Sequence, residues 1–214
     1  MVMGRAHQVY RWLLPIAVLA VVAAFLLPGL GRPVMNREQE LRVALTARTM
    51  ADGGSWLRPE FLGEPRLRKP PLMYWAVATS YLAAGTTHSA TVARLPSALA
   101  GLALVGAMYA LAAAYMGRRR SALAVLACGS SFIFLKQGRV AETDMLLTLG
   151  TALSALLLHR GLSRSYSRRA WWGAGLSSGL GFLAKGPAAL ALPVLAAVLF
   201  RLNPPRPCGR AGPR

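Results

Sequence analysis

Acidic residues are scarce in this chain of 214 residues. It has 7 aspartate and glutamate residues against 25 lysine and arginine residues, which gives a formal net charge of +18. Only 15% of the residues are charged and 55% are hydrophobic, a balance that is unusual for a soluble domain and typical of a polytopic membrane protein. The arginines lie between apolar runs of the sequence. We therefore expect anionic lipid headgroups and phosphates as partners, and not nucleic acid.

Cysteine and clustered metal ligands are also scarce. Cys128 lies in an apolar run and Cys208 near the C-terminus, so neither a disulfide nor a cysteine metal site is expected. The three histidines, His7, His88 and His159, are scattered along the chain. No glycine-rich phosphate loop lies between a predicted strand and helix, which argues against a nucleotide pocket. The sequence therefore predicts no metal site built from clustered side chains.

Six hydrophobic runs each approach the roughly 20 residues that cross a bilayer as a helix. They cover residues 12–30, 93–116, 121–136, 143–159, 170–184 and 187–202. The first run follows Arg5 and Arg11, as the apolar part of a signal peptide would. It is long, however, and no small-x-small cleavage site follows it, so we expect a retained span. The predicted fold class is an all-α integral membrane protein with about six transmembrane helices.

Arginine placement predicts the orientation of these spans. With the N-terminus inside, the short outer connections carry only Lys136, Arg139 and Lys185, in agreement with the positive-inside rule. The stretch 71–84 is too short to span, and counting it would move the arginine triplet at 118–120 outside. The remaining inner arginines include Arg5, Arg11, Arg160, Arg164, Arg168 and Arg169.

The first outer segment, residues 31–92, is predicted to contain two interfacial helices, over 36–50 and 71–84. Asn36 is the expected N-cap of the first, with Gln39 completing a capping box, and Gly85 is the expected end of the second. The segment also holds eight lysine and arginine residues. Two explanations are open: a high arginine background throughout the chain, or an outer surface that attracts a lipid phosphate.

Lys69 lies in a rigid turn of this outer segment. Pro70 and Pro71 fix their own φ angles and hold Lys69 extended, at the start of the second interfacial helix. The lysine is therefore pre-positioned. It either contacts a specific phosphate or extends its ammonium group to lipid headgroups at the interface.

Three other charged residues allow two interpretations each. Glu40 falls near the apolar face of the first interfacial helix. It is either a charge favoured by the helix dipole or a functional carboxylate directed into a cavity at the level of the bilayer. Asp144 lies at the outer mouth of the fourth span, which suggests function, although a surface pair with Arg139 is the alternative. Lys185 is either a second phosphate contact or an ordinary turn residue between two spans.

An ordered set of motifs runs from about residue 12 to residue 202. Together these motifs resemble the polyprenyl-phosphate-dependent membrane glycosyltransferases, a family related to the 4-amino-4-deoxy-L-arabinose lipid A transferase and the protein O-mannosyltransferases. The motifs are Glu40-Leu-Arg42-Val-Ala44, Ala47-Arg48-Thr-Met50, Gly54-Ser-Trp56-Leu-Arg-Pro59, Gly63-Glu64-Pro65, Lys69-Pro70-Pro71-Leu72, Trp75, Ala93-Arg94-Leu95-Pro96-Ser97-Ala98-Leu99 and Lys185-Gly186-Pro187.

The resemblance implies a glycosyltransferase C-type fold in the bacterial inner membrane, with the active site on the periplasmic side. Such proteins move a sugar from a donor such as undecaprenyl-phosphate sugar to an acceptor, which here is lipid A, another glycan or a protein. A requirement for a divalent metal is left open.

The resemblance also implies roles for individual residues. We predict that Lys69, Arg139 and Lys185 bind the donor phosphate. Glu40 and Asp144 are the predicted catalytic acids. Gln39 occupies the position where the family usually has the first acid of an Asp-Glu pair. Its amide orients a partner but cannot act as a base.

The predicted domain organisation is a transmembrane glycosyltransferase-like domain over residues 1–202 and a disordered tail over 203–214. Family members are usually much longer, so we expect a truncated or frameshifted product, or an N-terminal portion. The alternative function is a non-catalytic family member that binds lipid or assists assembly in the membrane. Gln39 and the short length favour this alternative, whereas the intact Lys69-Pro-Pro-Leu motif and Asp144 favour a transferase.

Overall fold

The fold is almost entirely helical. A computed structural model describes residues 2–32, 34–35, 37–163 and 167–202. Within them lie nine helices: α1 (Val2–Leu26), α2 (Glu38–Ala51), α3 (Leu72–Ala84), α4 (Ala90–Met116), α5 (Arg118–Gly129), α6 (Phe132–Gly138), α7 (Asp144–Ser163), α8 (Arg168–Lys185) and α9 (Ala188–Leu202). The short strands β1 (Glu60–Phe61) and β2 (Glu64–Pro65) pair antiparallel. The predicted all-α class is confirmed, while the predicted tail lies outside the described residues.

The number of membrane spans differs from the sequence-based count. Over the described residues, α4 and the stretch of α7 from Asp144 to Leu162 are long and apolar enough to cross a membrane, and α5 with α6 would form a third. The span predicted over 121–136 is not one straight helix, because α5 and α6 are bent by 66°, as in a broken span or a re-entrant loop. Ser130 and Ser131 lie at the bend, and each hydroxyl donates to a backbone carbonyl of the preceding turn. The count of six spans is therefore not confirmed.

The two helices of the outer segment form close to where they were predicted. α3 follows Pro70 and Pro71 and ends at Gly85, whose φ of 64° lies in the left-handed region. α2 begins at Glu38, with Arg37 at its N-cap and no side-chain cap. Asn36, the predicted cap, lies outside the described residues. The Gln39 side chain bonds to Lys69, as described below, and is not seen to complete a capping box.

Two large apolar clusters and a smaller one around Leu26, Leu30 and Ala98 stabilise this arrangement. In the outer cluster, Val43 and Met50 of α2 pack with Met73 and Val77 of α3. The second cluster joins α1, α4, α5, α6 and α7 through residues such as Val22, Leu104, Val105, Val125 and Met145. The outer segment is thus a packed layer on the helical bundle.

Helices α7 and α8 approach closely because glycines line their contact. A Cβ added to Gly150 would lie 2.8 Å from the Gly181 Cα. The Ser154 and Ser178 hydroxyls are 2.6 Å apart at the same interface. Small residues and hydroxyl contacts of this kind allow helix backbones to approach within a membrane.

A buried ion pair joins the outer layer to the bundle. Arg94 of α4 donates to both oxygens of Glu40 of α2, at 2.6 and 3.1 Å, and each residue is 1% exposed. The Ala141 backbone N–H donates to the same carboxylate at 3.0 Å, and Arg94 also donates to the Leu30 carbonyl. Four separate segments of the chain therefore meet at this one pair.

We expect Gly150→Ala to destabilise the protein. The added methyl meets the α8 backbone, and overpacking of this kind costs about 1–3 kcal/mol. Gly175→Ala on α8 is the matched control, because nothing lies within 4 Å of its Cβ position and alanine is favoured over glycine in a helix by about 1 kcal/mol. Thermal unfolding of the purified variants in detergent should give a lower Tm for Gly150→Ala alone. Equal shifts in both variants would contradict the close α7–α8 contact.

We expect Glu40→Gln to be more destabilising than Glu38→Gln. Removing one partner of a buried ion pair leaves the other charge uncompensated and costs about 3–5 kcal/mol. Glu38 is 69% exposed and pairs with Arg42 on the surface of α2, where such pairs contribute about 0–1 kcal/mol. Denaturant or thermal unfolding would measure both, and a Glu40→Met/Arg94→Met double variant should recover part of the loss. A Glu40→Gln variant as stable as Glu38→Gln would refute this assignment.

Candidate functional site

The loop that carries Lys69 is ordered by aromatic and arginine contacts. The Arg66 Nε donates to the Tyr74 hydroxyl at 2.9 Å, and the Arg66 guanidinium lies 5.5 Å from the centre of the Phe61 ring. The Trp75 Nε1 donates to the Trp56 carbonyl at 2.7 Å. These contacts tie the β1–β2 hairpin and the segment before it to α3. The turn that holds Lys69 is therefore anchored on both sides.

Lys69 and Gln39 are in direct contact. The Lys69 Nζ donates to the Gln39 Oε1 at 3.1 Å, which joins the proline turn to the first turn of α2. An aspartate at position 39 would form an ion pair here, whereas the neutral amide orients the ammonium group without neutralising it. Lys69 and Gln39, which were predicted separately as site residues, are thus neighbours in the structure.

The environment of Lys69 favours loss of its proton. Burial is the largest cause of a lowered Lys69 pKa, followed by the positive charge of Lys185. The carboxylates of Asp144 and Glu142 raise the pKa, but they compensate only in part. An anion bound beside Lys69 would favour its charged form and oppose this shift. The lowered Lys69 pKa is therefore mainly an effect of burial, to which the neighbouring cations add.

Asp144 connects the ends of three helices. One of its oxygens pairs closely with the Lys185 Nζ at the end of α8, and the other accepts from the Gln137 Nε2 of α6 at 2.9 Å. The alternative surface pair between Asp144 and Arg139 does not form. We call Gln39, Lys69, Gln137, Asp144 and Lys185 the outer polar cluster.

Sequence reasoning missed two residues at or near this cluster, Gln137 and Glu142. Gln137 carries no charge and has no distinctive spacing, so nothing in the sequence indicated its contact with Asp144. Glu142 pairs with Arg37 at 3.3 Å and also acts on the Lys69 pKa. Glu142 could have been found from the sequence, because it is one of only 7 acidic residues in the chain and lies two residues before Asp144.

Glu40 occupies a different environment from Asp144. Both of its oxygens accept hydrogen bonds from Arg94, and one also accepts from the Ala141 N–H. Glu40 is 1% exposed, so an acceptor cannot reach its carboxylate, whereas the Asp144 side chain is 29% exposed. The geometry favours a positioning role for Glu40, next to Gln39 in the chain.

Arg139 also lies outside the contacts of the outer polar cluster. Its Nε donates to the Leu26 carbonyl at 3.2 Å and its Nη2 donates to the Phe25 carbonyl. These are carbonyls of the last turn of α1, which lack partners within the helix. Its predicted contact with the donor phosphate stays a prediction. Over the described residues, no group of three or more histidine, cysteine or acidic side chains is placed to hold a metal.

Known proteins resemble this chain over most of its length. An uncharacterised protein of Aquifex aeolicus is 33% identical over 80% of this chain and 34% of its own length. An undecaprenyl phosphate-alpha-4-amino-4-deoxy-L-arabinose arabinosyl transferase 2 of Pseudomonas fluorescens is 31% identical over 90% of this chain and 33% of its own length. The chain therefore spans about a third of the length of these curated relatives.

Solved structures show the same architecture. ArnT from Cupriavidus metallidurans bound to undecaprenyl phosphate aligns with a TM-score of 0.79 at 25% identity, over 87% of this chain and 35% of that one. The apo state of the same protein aligns with a TM-score of 0.76. The chain thus has an all-α membrane fold of the glycosyltransferase C type.

Family membership follows from the sequence match as well as from the fold. Residues 68–207 match the family described as dolichyl-phosphate-mannose-protein mannosyltransferase. The matched region begins at the Lys69 turn and includes Asp144 and Lys185. The chain therefore belongs to this family of polyprenyl-phosphate glycosyltransferases.

Proposed function

We propose that the outer polar cluster binds the phosphate of a polyprenyl-phosphate-linked sugar, and that the chain takes part in transferring this sugar to an acceptor. The observation that carries the proposal is the outer polar cluster itself, in which Gln39 contacts Lys69 and Asp144 pairs with Lys185, the lysine whose charge acts on Lys69. Two cations held near one another attract a phosphate, whose binding relieves their repulsion. The names of the arabinosyl transferase relatives and the undecaprenyl phosphate bound by the Cupriavidus protein support this donor class.

Sugar transfer from such a donor needs mainly cations that stabilise the departing phosphate and groups that position the reactants. The donor is already activated, since its leaving group is a phosphate. Lys69 and Lys185 would stabilise the negative charge that develops on that phosphate as the bond to the sugar breaks. Gln39 would orient the Lys69 ammonium group through its 3.1 Å contact.

Asp144 is the group we assign to the acceptor. Its contacts with Lys185 and Gln137 fix its orientation, and a carboxylate so held can orient an acceptor hydroxyl or accept its proton. The acceptor is lipid A, another glycan or a protein. We place the reaction on the periplasmic face of a bacterial inner membrane, where the predicted outer segment lies.

A second function is favoured by one residue. Gln39 replaces the first acid expected from the family resemblance, and an amide cannot act as a base. A member that binds the lipid phosphate without transferring the sugar would retain Lys69 and Lys185 and tolerate this change. Donor binding without turnover by the protein would identify this alternative.

We expect Lys69→Gln and Asp144→Asn to lower sugar transfer through different steps. Loss of Lys69 should weaken donor binding and reduce transfer roughly 10²-fold, the usual effect of removing one preorganised electrostatic contact. Asp144→Asn should reduce transfer by about 10²-fold or more while donor binding is retained. Arg68→Gln removes the adjacent exposed cation and is the matched control. Transfer from radiolabelled undecaprenyl-phosphate sugar in membranes, with donor binding measured in parallel, provides the assay. Transfer that survives both changes would refute the site.

We also expect donor binding to weaken at alkaline pH. Because the Lys69 pKa is lowered, its positive charge is lost as pH rises through a value below the ordinary 10.5. Gln39→Asp would place a carboxylate at the ammonium group, raise the Lys69 pKa and move this loss to higher pH. Lys69→Arg should remove the dependence, since a guanidinium stays charged. Donor affinity measured against pH tests all three proteins. An unchanged alkaline limb in Lys69→Arg would exclude Lys69 as its source.

A further inference from the structure

A cavity of about 330 Å³ opens between the start of α2, helix α6 and the segment that follows it. Four cations line it: Arg37, Arg94, Lys136 and Arg139. Its apolar wall includes Phe132 and Leu135 of α6. The combination of several cations with an apolar wall suits an amphiphilic anion better than a free sugar or a neutral lipid.

The cations of this cavity carry an excess of positive charge. Arg37 pairs with Glu142 at 3.3 Å, whereas neither Lys136 nor Arg139 forms an ion pair with a carboxylate in the part of the chain that the structure describes. Arg139 is held by the α1 carbonyls, and the Lys136 Nζ lies 5.7 Å from the centre of the Phe132 ring. Glu40, which also lines the cavity, is already engaged by Arg94. An anion entering here meets cations that are oriented before it arrives.

The apolar side of the cavity continues onto an exposed surface. Phe132 is 79% exposed and the adjacent Ile133 is 60% exposed, at the bend between α5 and α6. In a bilayer such exposed apolar side chains face lipid. The cavity is near the lower end of the usual range for ligand sites, about 300–1,000 Å³, so it has room for a headgroup while the chains stay outside.

This cavity is separate from the outer polar cluster. Its lining residues do not include Lys69, Asp144 or Lys185. We propose that the cavity binds the phosphate headgroup of an anionic lipid as a second site, with Lys136 and Arg139 as its phosphate contacts and Phe132 against its chain. The inference does not rest on the proposed transferase function.

Two lipids carry this chemistry, a bilayer phospholipid and a polyprenyl phosphate, and binding measurements distinguish them. Native mass spectrometry of the full chain with phosphatidylglycerol, undecaprenyl phosphate or phosphatidylcholine would give each affinity. We expect Lys136→Glu to lower affinity for at least one of the two anionic lipids about tenfold or more, and to leave phosphatidylcholine unchanged. The anionic lipid that responds identifies the source of the headgroup.

Two comparisons make the test decisive. Arg58→Glu changes the same charge at an exposed position of the outer segment and controls for general electrostatic attraction, while Lys69→Gln reports the outer polar cluster. If phosphatidylglycerol responds to Lys136→Glu, Lys69→Gln should leave its affinity unchanged. If undecaprenyl phosphate responds, Lys136→Glu and Lys69→Gln should each remove a different one of two bound lipid molecules, and the double variant should remove both. Phe132→Ala, at an exposed position, should weaken binding of the lipid that responds to Lys136→Glu, while the fold is retained. Equal effects of Lys136→Glu and Arg58→Glu, or loss of one and the same bound lipid in Lys136→Glu, Lys69→Gln and their double variant, would overturn a separate site.

Discussion

The buried pair of Glu40 and Arg94 is the interaction on which the outer half of the structure depends. Two charges removed from water are tolerated only when their hydrogen bonds are satisfied, and here both carboxylate oxygens and the guanidinium have partners. The pair therefore constrains the relative positions of α2, α4 and Ala141. Gln39 directly precedes Glu40, and Asp144 follows Ala141 by three residues. The same contact thus positions residues from both sides of the outer polar cluster.

This rigidity gives the outer polar cluster its electrostatic character. Lys69 is held by its proline turn and by Gln39, while Lys185 is held by Asp144. Burial is the main cause of the lowered Lys69 pKa, and the positive charge of Lys185 adds to it. A site whose charges are oriented in advance needs little reorganisation when an anion binds. The framework that resists like-charge repulsion is therefore the same framework that would make phosphate binding favourable.

Local signals made part of this arrangement predictable from sequence. Pro70, Pro71 and Gly85 predicted both ends of α3, because proline and glycine act through the backbone of their own turn. Partners distant in the chain were not predictable: Arg94 lies 54 residues from Glu40, and Lys185 lies 41 residues from Asp144. The bend between α5 and α6 was also missed. Mean hydropathy over a window of residues is hardly changed by two serines. It therefore did not indicate that the Ser130 and Ser131 hydroxyls donate to carbonyls of the preceding turn at the bend.

The excess of cations in the outer segment has two origins, and the structure separates them. Arg66 contacts Tyr74 and Phe61. Arg42 pairs with Glu38 of α2, and Arg48 pairs with Asp52 directly after α2, so these arginines have structural partners. Lys69 differs, since its hydrogen-bond partner is a neutral amide. The number of arginines is therefore a poor guide to anion binding in this chain. The better guide is a cation that contacts a neutral group without forming an ion pair, as Lys69, Lys136 and Arg139 do. Lys185 pairs with Asp144 and would contribute only together with Lys69.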